Sequence, residues 1–372
     1  MQHKTIAHAI AVAGATALAA GSAWAADLTV VSWGGAYTAS QQKAYGEPKA
    51  YGEPWEQKTG KKIHWENYNG GLGEVRTQVE SGTVIWDIVD VLADEARVGC
   101  DEGLFEEIPD EYHVMTKDGM SIDEDLMVPR PNKCVAPMIW WSYMMFYDAP
   151  AWEGKTPPSS IADFFNVTDF PGKRGIHTWP LALIEMALVA DGVDPGDVYD
   201  VMDTDEGIDR AFAMLDRIKD HSVFWSAGSQ PLELVKSGEA SMALAYNGRV
   251  GAANLSEGAT FVPVWDGQVL EEEWIVVLKG APNKELAVEF ASFASAPEQL
   301  AAQARYINYG PMRKSSFDII TAGEPWFHDG KEILPHMPNR AEVLPRSIIA
   351  NPDWWADNRD PIQERFDAWR AQ

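Results

Sequence analysis

The sequence predicts an α/β fold in two lobes, and three observations support this prediction. From Leu28 to Glu102, short β-type runs alternate with helical patterns, which is typical of a sheet with helices on its faces. The segment from Ala149 to Pro158 is then rich in Pro and Gly, as expected of a loop at a lobe boundary. A second series of strands and helices follows that loop, so each lobe is expected to have its own α/β core.

The first series alternates strands with helices. Its strands are predicted from short apolar runs and its helices from apolar residues that recur with helical spacing. The strands are predicted at Leu28 to Ser32, Lys62 to Trp65 and Ile85 to Val91, and the helices after the first strand, at Leu72 to Ser81 and at Glu95 to Glu102.

A strand from Met138 to Tyr147 is predicted just before the loop. The second series follows the loop, with strands at Gly175 to Thr178 and Ala240 to Tyr246 and helices at Leu181 to Asp191, Glu206 to Asp220 and Pro231 to Ser237. A final group resembles the first series, with a strand at Trp274 to Leu278 and helices at Lys284 to Ser295 and Pro297 to Ala304.

The composition is that of an ordinary globular protein. The 372 residues are 46% hydrophobic and 23% charged, which excludes disordered, collagen-like and coiled-coil classes. The formal net charge is −26, because 56 acidic residues face 30 basic ones. Such a surface repels nucleic acids and anionic membranes, so neither is expected as a partner.

Residues 1 to 25 have the three parts of a removable export signal. Lys4 lies at the start, an apolar run extends from Ile6 to Ala20, and small residues at Ala23 and Ala25 form a cleavage site. No cysteine follows the apolar run, so a lipid anchor is not expected. The mature chain is therefore predicted to be a free protein of the periplasm.

The only two cysteines are Cys100 and Cys134. In an oxidising compartment an even number of cysteines favours a disulfide, and two buried free thiols are the alternative. We expect a disulfide between them, within the first lobe.

Signatures of catalysis are missing. The sequence has no G-x-S-x-G, H-E-x-x-H, C-x-x-C or G-x-x-x-x-G-K-[ST] motif, and its eight His residues lack metal-ligand spacing. Neither a metal nor a cofactor is expected, and the protein is not predicted to be an enzyme. A periplasmic hydrolase is the alternative, and it would need a nucleophile or metal that no motif indicates.

Aromatic residues indicate ligand binding instead. The chain has 16 Trp, 11 Tyr and 13 Phe, and several of them lie beside glycine turns or at the ends of predicted strands. Open α/β sheets bind ligands at such strand ends. Aromatic faces near carboxylates bind ammonium groups, and they also stack on sugars, so both ligand classes stay open at this point.

One short segment is duplicated. The six residues KAYGEP at Lys43 to Pro48 recur at Lys49 to Pro54, which is far shorter than the period of a structural repeat. Because Gly-Glu-Pro breaks a helix, we expect the extra copy to bulge into solvent.

Several motifs, in order along the chain, resemble the periplasmic solute-binding proteins of ABC importers, group 1, in the spermidine/putrescine-binding branch. They are SWGGAY at Ser32 to Tyr37, WDIVDV at Trp86 to Val91, FPGKRGI at Phe170 to Ile176, SGEASMALAYNG at Ser237 to Gly248, INYGPMRK at Ile307 to Lys314 and the stretch from Asp353 to Arg370. The resemblance implies the type II binding-protein fold, in which hinge segments join two lobes and the ligand lies between them. It implies residues 26–137 plus 273–312 for lobe 1, and residues 138–272 plus 313–372 for lobe 2.

The resemblance also implies a set of ligand-binding residues. Aromatic pocket positions match Trp33, Tyr37, Tyr246 and Tyr309, the carboxylate for an amine matches Glu273, and later positions match Trp354 and Trp355. Further candidates are Asp94, after the third strand, and Trp179. The segment from His177 to Glu185 departs from spermidine binders because it has no carboxylate before Glu185, which disfavours a long triamine held at both ends.

Arg249 adds a possible partner for a ligand carboxylate, because its planar fork suits bidentate contact, although a surface salt bridge explains it equally well. We therefore expect a monomer that captures a small amine-bearing solute, either a polyamine such as putrescine or spermidine or an ω-amino acid, and delivers it to an ABC permease. A sugar-binding protein of the same fold is the alternative.

Overall fold

The computed structural model describes residues 27–46, 55–322 and 326–372. The predicted export signal and the second KAYGEP copy lie outside the described residues. The described strands form one mixed sheet, and they are β1 Leu28–Ser32, β2 Ile63–Asn67, β3 Ile88–Leu92, β4 Val135–Asp148, β5 Arg174–His177, β6 Ser222–Trp225, β7 Met242–Tyr246, β8 Phe261–Val277, β9 Gly310–Pro311 and β10 Ile348–Ile349.

The helices cover both sides of this sheet and follow the predicted α/β alternation. In chain order they are α1 Gly35–Gly46, α2 Trp55–Thr59, α3 Gly73–Ser81, α4 Ala93–Asp101, α5 Ile122–Asp125, α6 Ile161–Phe165, α7 Leu183–Ala190, α8 Val198–Met202, α9 Asp205–Asp216, α10 Gln230–Lys236, α11 Asn247–Glu257, α12 Lys284–Ala294, α13 Pro297–Gln303, α14 Lys314–Thr321 and α15 Pro352–Ala371.

Two long strands organise the sheet, whose order is β2-β1-β3-β8-β4-β7-β5-β6. The central strands β4 and β8 are 14 and 17 residues long and pair antiparallel along most of their length. On one side, β1 pairs in parallel with β2 and β3, and we refer to this side as lobe 1. On the other side β5 pairs in parallel with β6 and β7, and this is lobe 2. The fold is the expected two-lobe α/β arrangement.

Strand β4 is a continuous apolar run, and every residue from Val135 to Tyr147 is buried. A run of this kind predicts a strand that is covered on both faces. Strand β8 differs from the prediction because it begins 13 residues earlier than the expected Trp274. Its middle contains three consecutive glutamates, so its sequence does not look like that of a central strand.

The exact lobe boundaries stay a prediction, because β4 and β8 run through both lobes without a break. The C-terminal helix α15 contacts both lobes, because the Trp369 indole donates to Asp216 in α9 at 2.9 Å and Arg359 pairs with Asp94 in α4 at 2.5 Å. Helix α14 directly follows Arg313, which is bonded to Asp125 at the end of α5.

Arg313 and Asp125 form a fully buried ion pair. Both side chains have 0% exposure, and Arg313 Nε donates to Asp125 Oδ2 at 2.6 Å. The same carboxylate accepts from the backbone N–H and the hydroxyl of Ser315. The pair therefore fixes the start of α14 against α5, which is 188 residues earlier in the chain.

The disulfide is confirmed, because Cys100 near the end of α4 is bonded to Cys134, one residue before β4. Their Cα atoms are 6.0 Å apart across a separation of 34 residues. Both cysteines of the sequence are used, so the alternative of two free thiols is ruled out. Within the described ranges, no helix combines the length and apolar character that crossing a bilayer requires.

Candidate functional site

A cleft of about 680 Å³ lies between the two lobes. Its walls come from the carboxyl ends of strands, where open α/β sheets bind ligands. Trp33 directly follows β1 and Leu92 ends β3 in lobe 1, while Tyr246 ends β7 and Trp179 closely follows β5 in lobe 2. The central strand β8 contributes the floor.

Most of the residues predicted from the sequence line this cleft. The eight that do so are Trp33, Tyr37, Trp179, Tyr246, Arg249, Glu273, Tyr309 and Trp355. They come from six separate segments of the chain, so the fold brings together residues that are up to 322 positions apart in the sequence. Their assignment as ligand contacts stays a prediction.

Two predicted residues are not part of the cleft wall. Asp94 forms an ion pair with Arg359, whose guanidinium lies 2.5 Å from its carboxylate. Trp354 is buried, and its indole N–H donates to Asp203 at 2.7 Å. At this helix turn the neighbouring Trp355 faces the cleft, because consecutive helical residues point in different directions.

Eight polar or aromatic residues that line the cleft were not predicted from the sequence. They are Tyr68, Asn69, Trp141, Tyr143, Ser226, Glu271, Arg359 and Gln363. For Glu271 a signal existed, because strand alternation places residues 271 and 273 on the same face of β8. No comparable signal distinguishes Trp141 and Tyr143 from the buried residues of β4 that surround them.

Glu273 is a buried carboxylate with aromatic donors. Trp33 Nε1 donates to Glu273 Oε1 at 2.7 Å, and Tyr37 is a further hydrogen-bond partner. Burial raises the pKa of Glu273 well above its usual range, and the nearby buried Asp90 raises it further. A cation placed beside this carboxylate would offset the cost of burying its charge.

An aromatic wall stands on the lobe 2 side. The rings of Trp141, Tyr143 and Tyr246 lie 5.0 to 5.4 Å apart, with tilted or edge-on geometry. Trp179 Nε1 donates to the Tyr143 hydroxyl at 3.0 Å, which fixes the outer edge of this wall. In lobe 1, Trp33 stacks on Tyr68 with 4.9 Å between ring centroids.

Arg249 in α11 is the cation of the cleft that lacks a carboxylate partner. Its guanidinium lies 6.0 Å from the ring centroid of Tyr246, and among the described residues no carboxylate oxygen lies within 4.0 Å of it. A Cβ at Gly228 would lie 2.5 Å from Arg249 Nε, so this arginine needs glycine there. A Cβ at Gly35 in lobe 1 would be 3.9 Å from Arg249 Nη1, which shows that the side chain reaches across the cleft.

A second buried glutamate supports Trp355. Glu185 Oε1 accepts from Trp355 Nε1 at 2.7 Å and from the Tyr199 hydroxyl at 3.0 Å. Burial raises the pKa of Glu185 to about 7. The glutamate thus fixes the orientation of a cleft tryptophan without itself reaching the cleft.

The buried carboxyls predict how the stability of the ligand-free protein depends on pH. Burial raises the pKa of six of them, namely Asp90, Glu95, Glu185, Glu271, Glu272 and Glu273. For Asp90, Glu185 and Glu272 the pKa is about 7, while the unfolded carboxyls titrate near 3.8 to 4.5. Above pH 6.5 the folded state therefore binds more protons than the unfolded state, so stability falls as pH rises.

We expect the melting temperature of the ligand-free protein to be lower at pH 8 than at pH 6.5, as measured by differential scanning fluorimetry. The histidines with a lowered pKa oppose this trend mainly below pH 6.5 and lose this influence toward pH 8, because unfolded histidine is half protonated at pH 6.5 and loses its remaining proton above it. Repeating the series at high salt, which screens exposed charges, should preserve the difference. An equal or higher melting temperature at pH 8 would contradict it.

The described residues hold no group of three or more His, Cys, Asp and Glu side chains arranged to bind a metal ion. The arrangement that they do form combines buried carboxylates, aromatic faces and one unpaired guanidinium in a single cleft. Such a site can hold a small solute with both a cationic and an anionic end.

Comparisons with known proteins agree with this description. Residues 50–335 match the family model described as bacterial extracellular solute-binding protein. Over 373 aligned residues, covering 100% of this chain and 98% of the relative, the sequence is 36% identical to a gamma-aminobutyric acid-binding protein of Pseudomonas aeruginosa.

Solved structures are similar as well. An ABC transporter substrate-binding protein from Bradyrhizobium japonicum is 30% identical, with a TM-score of 0.77 over 92% of this chain and 99% of that one. The Atu4243-GABA receptor is 28% identical, with a TM-score of 0.76 over 93% and 98%. These matches confirm the two-lobe fold, whereas the spermidine/putrescine branch stays a prediction.

Proposed function

Because this chain belongs to the bacterial extracellular solute-binding protein family, we propose that it captures a small ω-amino acid such as 4-aminobutyrate and delivers it to an ABC permease. The family and its ABC transporter relatives bind solutes outside the cytoplasm, and they are not enzymes. The chain is accordingly a periplasmic binding protein. The identity of its solute is the proposal.

The observation that carries the proposal is the presence of opposite charges on opposite walls. Glu273 offers a carboxylate beside the Trp33 indole, and Arg249 offers an unpaired guanidinium on the other lobe. The phenol of Tyr309 is influenced by both groups, since Arg249 lowers its pKa and Glu273 raises it. A solute with an ammonium at one end and a carboxylate at the other would neutralise both walls at once.

Such a ligand would also favour lobe closure. A solute that contacts Glu273 and Arg249 together binds the closed arrangement better than an open one, because only the closed arrangement offers both contacts. Two relatives, the P. aeruginosa protein and the Atu4243 receptor, are named for gamma-aminobutyric acid, which is an ω-amino acid. Their names support an ω-amino acid for this chain and leave its affinity open.

Two other solute classes have some support. A diamine such as putrescine is favoured by a second cleft carboxylate, Glu271, but the unpaired charge of Arg249 opposes it. A sugar could stack on the cleft tryptophans, yet it would leave Arg249 and Glu273 without charged partners.

The direct test is isothermal titration of the mature protein with 4-aminobutyrate, putrescine and glucose. We expect 4-aminobutyrate to bind with the highest affinity of the three. If putrescine or glucose bound at least tenfold more tightly than 4-aminobutyrate, the proposed solute class would be wrong.

The Arg249→Ala variant tests the carboxylate end. We expect its Kd for 4-aminobutyrate to rise at least tenfold, about 1.4 kcal/mol, because the ligand carboxylate loses its charged partner. The Kd for butylamine, which has no carboxylate, should change little.

Arg305→Ala is a matched control, because Arg305 also lies over a tryptophan, at 5.0 Å from the Trp326 ring, but outside the cleft. This variant should bind 4-aminobutyrate as the wild type does. Equal losses for both ligands in Arg249→Ala would show that the arginine only shapes the cleft.

A further inference from the structure

Glu271 is a second carboxylate in the cleft, and neither the prediction nor the proposed solute uses it. In β8 alternate side chains point to opposite faces, so Glu271 and Glu273 share the cleft face while Glu272 points away. Glu272 instead accepts a hydrogen bond from Trp274 Nε1 at 3.1 Å. The cleft therefore contains two carboxylates from one strand.

The two cleft carboxylates differ in their partners. Glu273 accepts a hydrogen bond from Trp33, whereas Glu271 has no ion-pair partner within the described chain, and its Oε1 is buried without a hydrogen bond. The residue is only 7% exposed. The nearest basic residue that influences it, Arg359, is already bonded to Asp94 at 2.5 Å. A buried carboxylate in this state lacks the cation or donors that such groups need.

The surroundings of Glu271 suit an ammonium group. Trp141 is its direct neighbour on β4, and the rings of Tyr143 and Tyr246 complete a tilted aromatic cluster with Trp141. Burial is the main cause of the raised pKa of both tyrosines, and the charge of Glu271 raises it further. Aromatic faces around a carboxylate are the usual surroundings of a bound alkylammonium.

The position of this carboxylate relative to Arg249 is informative. Trp141, the β4 neighbour of Glu271, lies 5.4 Å from the Tyr246 ring, and the Arg249 guanidinium lies 6.0 Å from the same ring. Glu271 therefore lies toward the end of the cleft where a ligand carboxylate would bind Arg249. Glu273, two residues along the strand and so about 6.6 Å away, serves the other end.

We propose that Glu271 forms a second ammonium subsite and that the cleft accepts α,ω-diamino acids, with the α-ammonium at Glu271, the carboxylate at Arg249 and the ω-ammonium at Glu273. The inference rests on the proposed function, because it uses the same cleft and the same two end contacts. It adds a third contact and a wider ligand class.

Charge balance supports this assignment. With both glutamates ionised and Arg249 unpaired, these three side chains carry a net charge of −1, which a diamino acid of net charge +1 neutralises. A simple ω-amino acid has no net charge, so Glu271 would have to keep a proton when it binds. The Glu271→Gln variant should therefore keep its affinity for simple ω-amino acids and lose affinity for diamino acids.

Ornithine and 5-aminopentanoate test this, because they differ only in the α-ammonium. Isothermal titration should show that wild-type protein binds both. In Glu271→Gln we expect the Kd for ornithine to rise at least tenfold, while the Kd for 5-aminopentanoate stays within about twofold, which also shows that the variant is folded. Glu272→Gln is the matched control on the opposite face and should bind both ligands as the wild type does.

The outcomes separate this inference from the proposed function. Wild-type protein that binds 5-aminopentanoate but not ornithine would overturn the second subsite and leave the proposed function standing. Equal losses for both ligands in Glu271→Gln, or no loss for ornithine, would also overturn it. Failure of the wild type to bind either ligand would overturn this inference, and failure to bind 4-aminobutyrate as well would also overturn the proposed function.

Discussion

Replacing Glu273 with glutamine is expected to raise the Kd for 4-aminobutyrate by roughly thirtyfold or more, about 2 kcal/mol. Glutamine keeps the shape of the side chain and an oxygen that can still accept from the Trp33 indole, so the wall of the cleft is preserved. The ligand ammonium, however, would then be buried without a negative partner. Removing one member of a buried charge pair costs more than the pair itself contributes, because the remaining charge stays desolvated.

Isothermal titration of Glu273→Gln and of Glu272→Gln would measure this effect. The second variant makes the same chemical change one residue away, on the face of β8 that does not line the cleft. Unfolding midpoints of both variants should confirm that they are folded. Unchanged affinity in Glu273→Gln would remove the ammonium site from this carboxylate.

Replacing Asp125 with alanine should lower the free energy of unfolding by about 3 to 5 kcal/mol. The change leaves the Arg313 guanidinium buried without its carboxylate and takes an acceptor from the backbone and hydroxyl of Ser315. Most of this loss comes from leaving the Arg313 charge buried without a partner, and less of it comes from the lost attraction between the two side chains. Replacing both partners with apolar residues, as in Asp125→Leu with Arg313→Met, should therefore restore most of the loss.

Urea denaturation followed by tryptophan fluorescence would test this prediction. Asp123→Ala is the control, because Asp123 is two residues away and pairs with Arg130, but its side chain is 60% exposed. The Arg130 guanidinium is buried, but it keeps a second carboxylate partner, Asp110, at 2.9 Å, so no charge is orphaned and the control should lose at most about 1 kcal/mol. Equal losses in the two single variants would show that burial does not determine the cost.

Much of the fold could be predicted from the sequence, because its strands and helices have clear periodic patterns. β1 was predicted with its observed bounds, and α12 within one residue of its observed end. Strand β8 was underestimated because its central glutamates suggest an exposed segment. Two of those glutamates, Glu271 and Glu273, face a cleft inside the molecule, and a local pattern does not distinguish an internal cleft from bulk solvent.

The site was predicted less completely than the fold, and the reason is again physical. The predicted role of Asp94 depends on whether a cation competes for it, and that cation, Arg359, lies 265 residues further along the chain. Tyr143 lies within an apolar run, where nothing in the sequence tells which residues line a cavity. Residues at the ends of strands, such as Trp33 and Tyr246, were easier to identify because the fold class itself predicts where ligands bind.

Gly228 has a consequence for how a binding protein of this kind could diverge toward new solutes. Any side chain at this position would collide with Arg249 and with the ring of Tyr246, so a single replacement there would displace the guanidinium while leaving the arginine codon intact. A gene duplicate could thereby lose the proposed contact between Arg249 and a solute carboxylate through one mutation at a residue that carries no side chain. Surveys that compare only the side chains in contact with a ligand would overlook such a change.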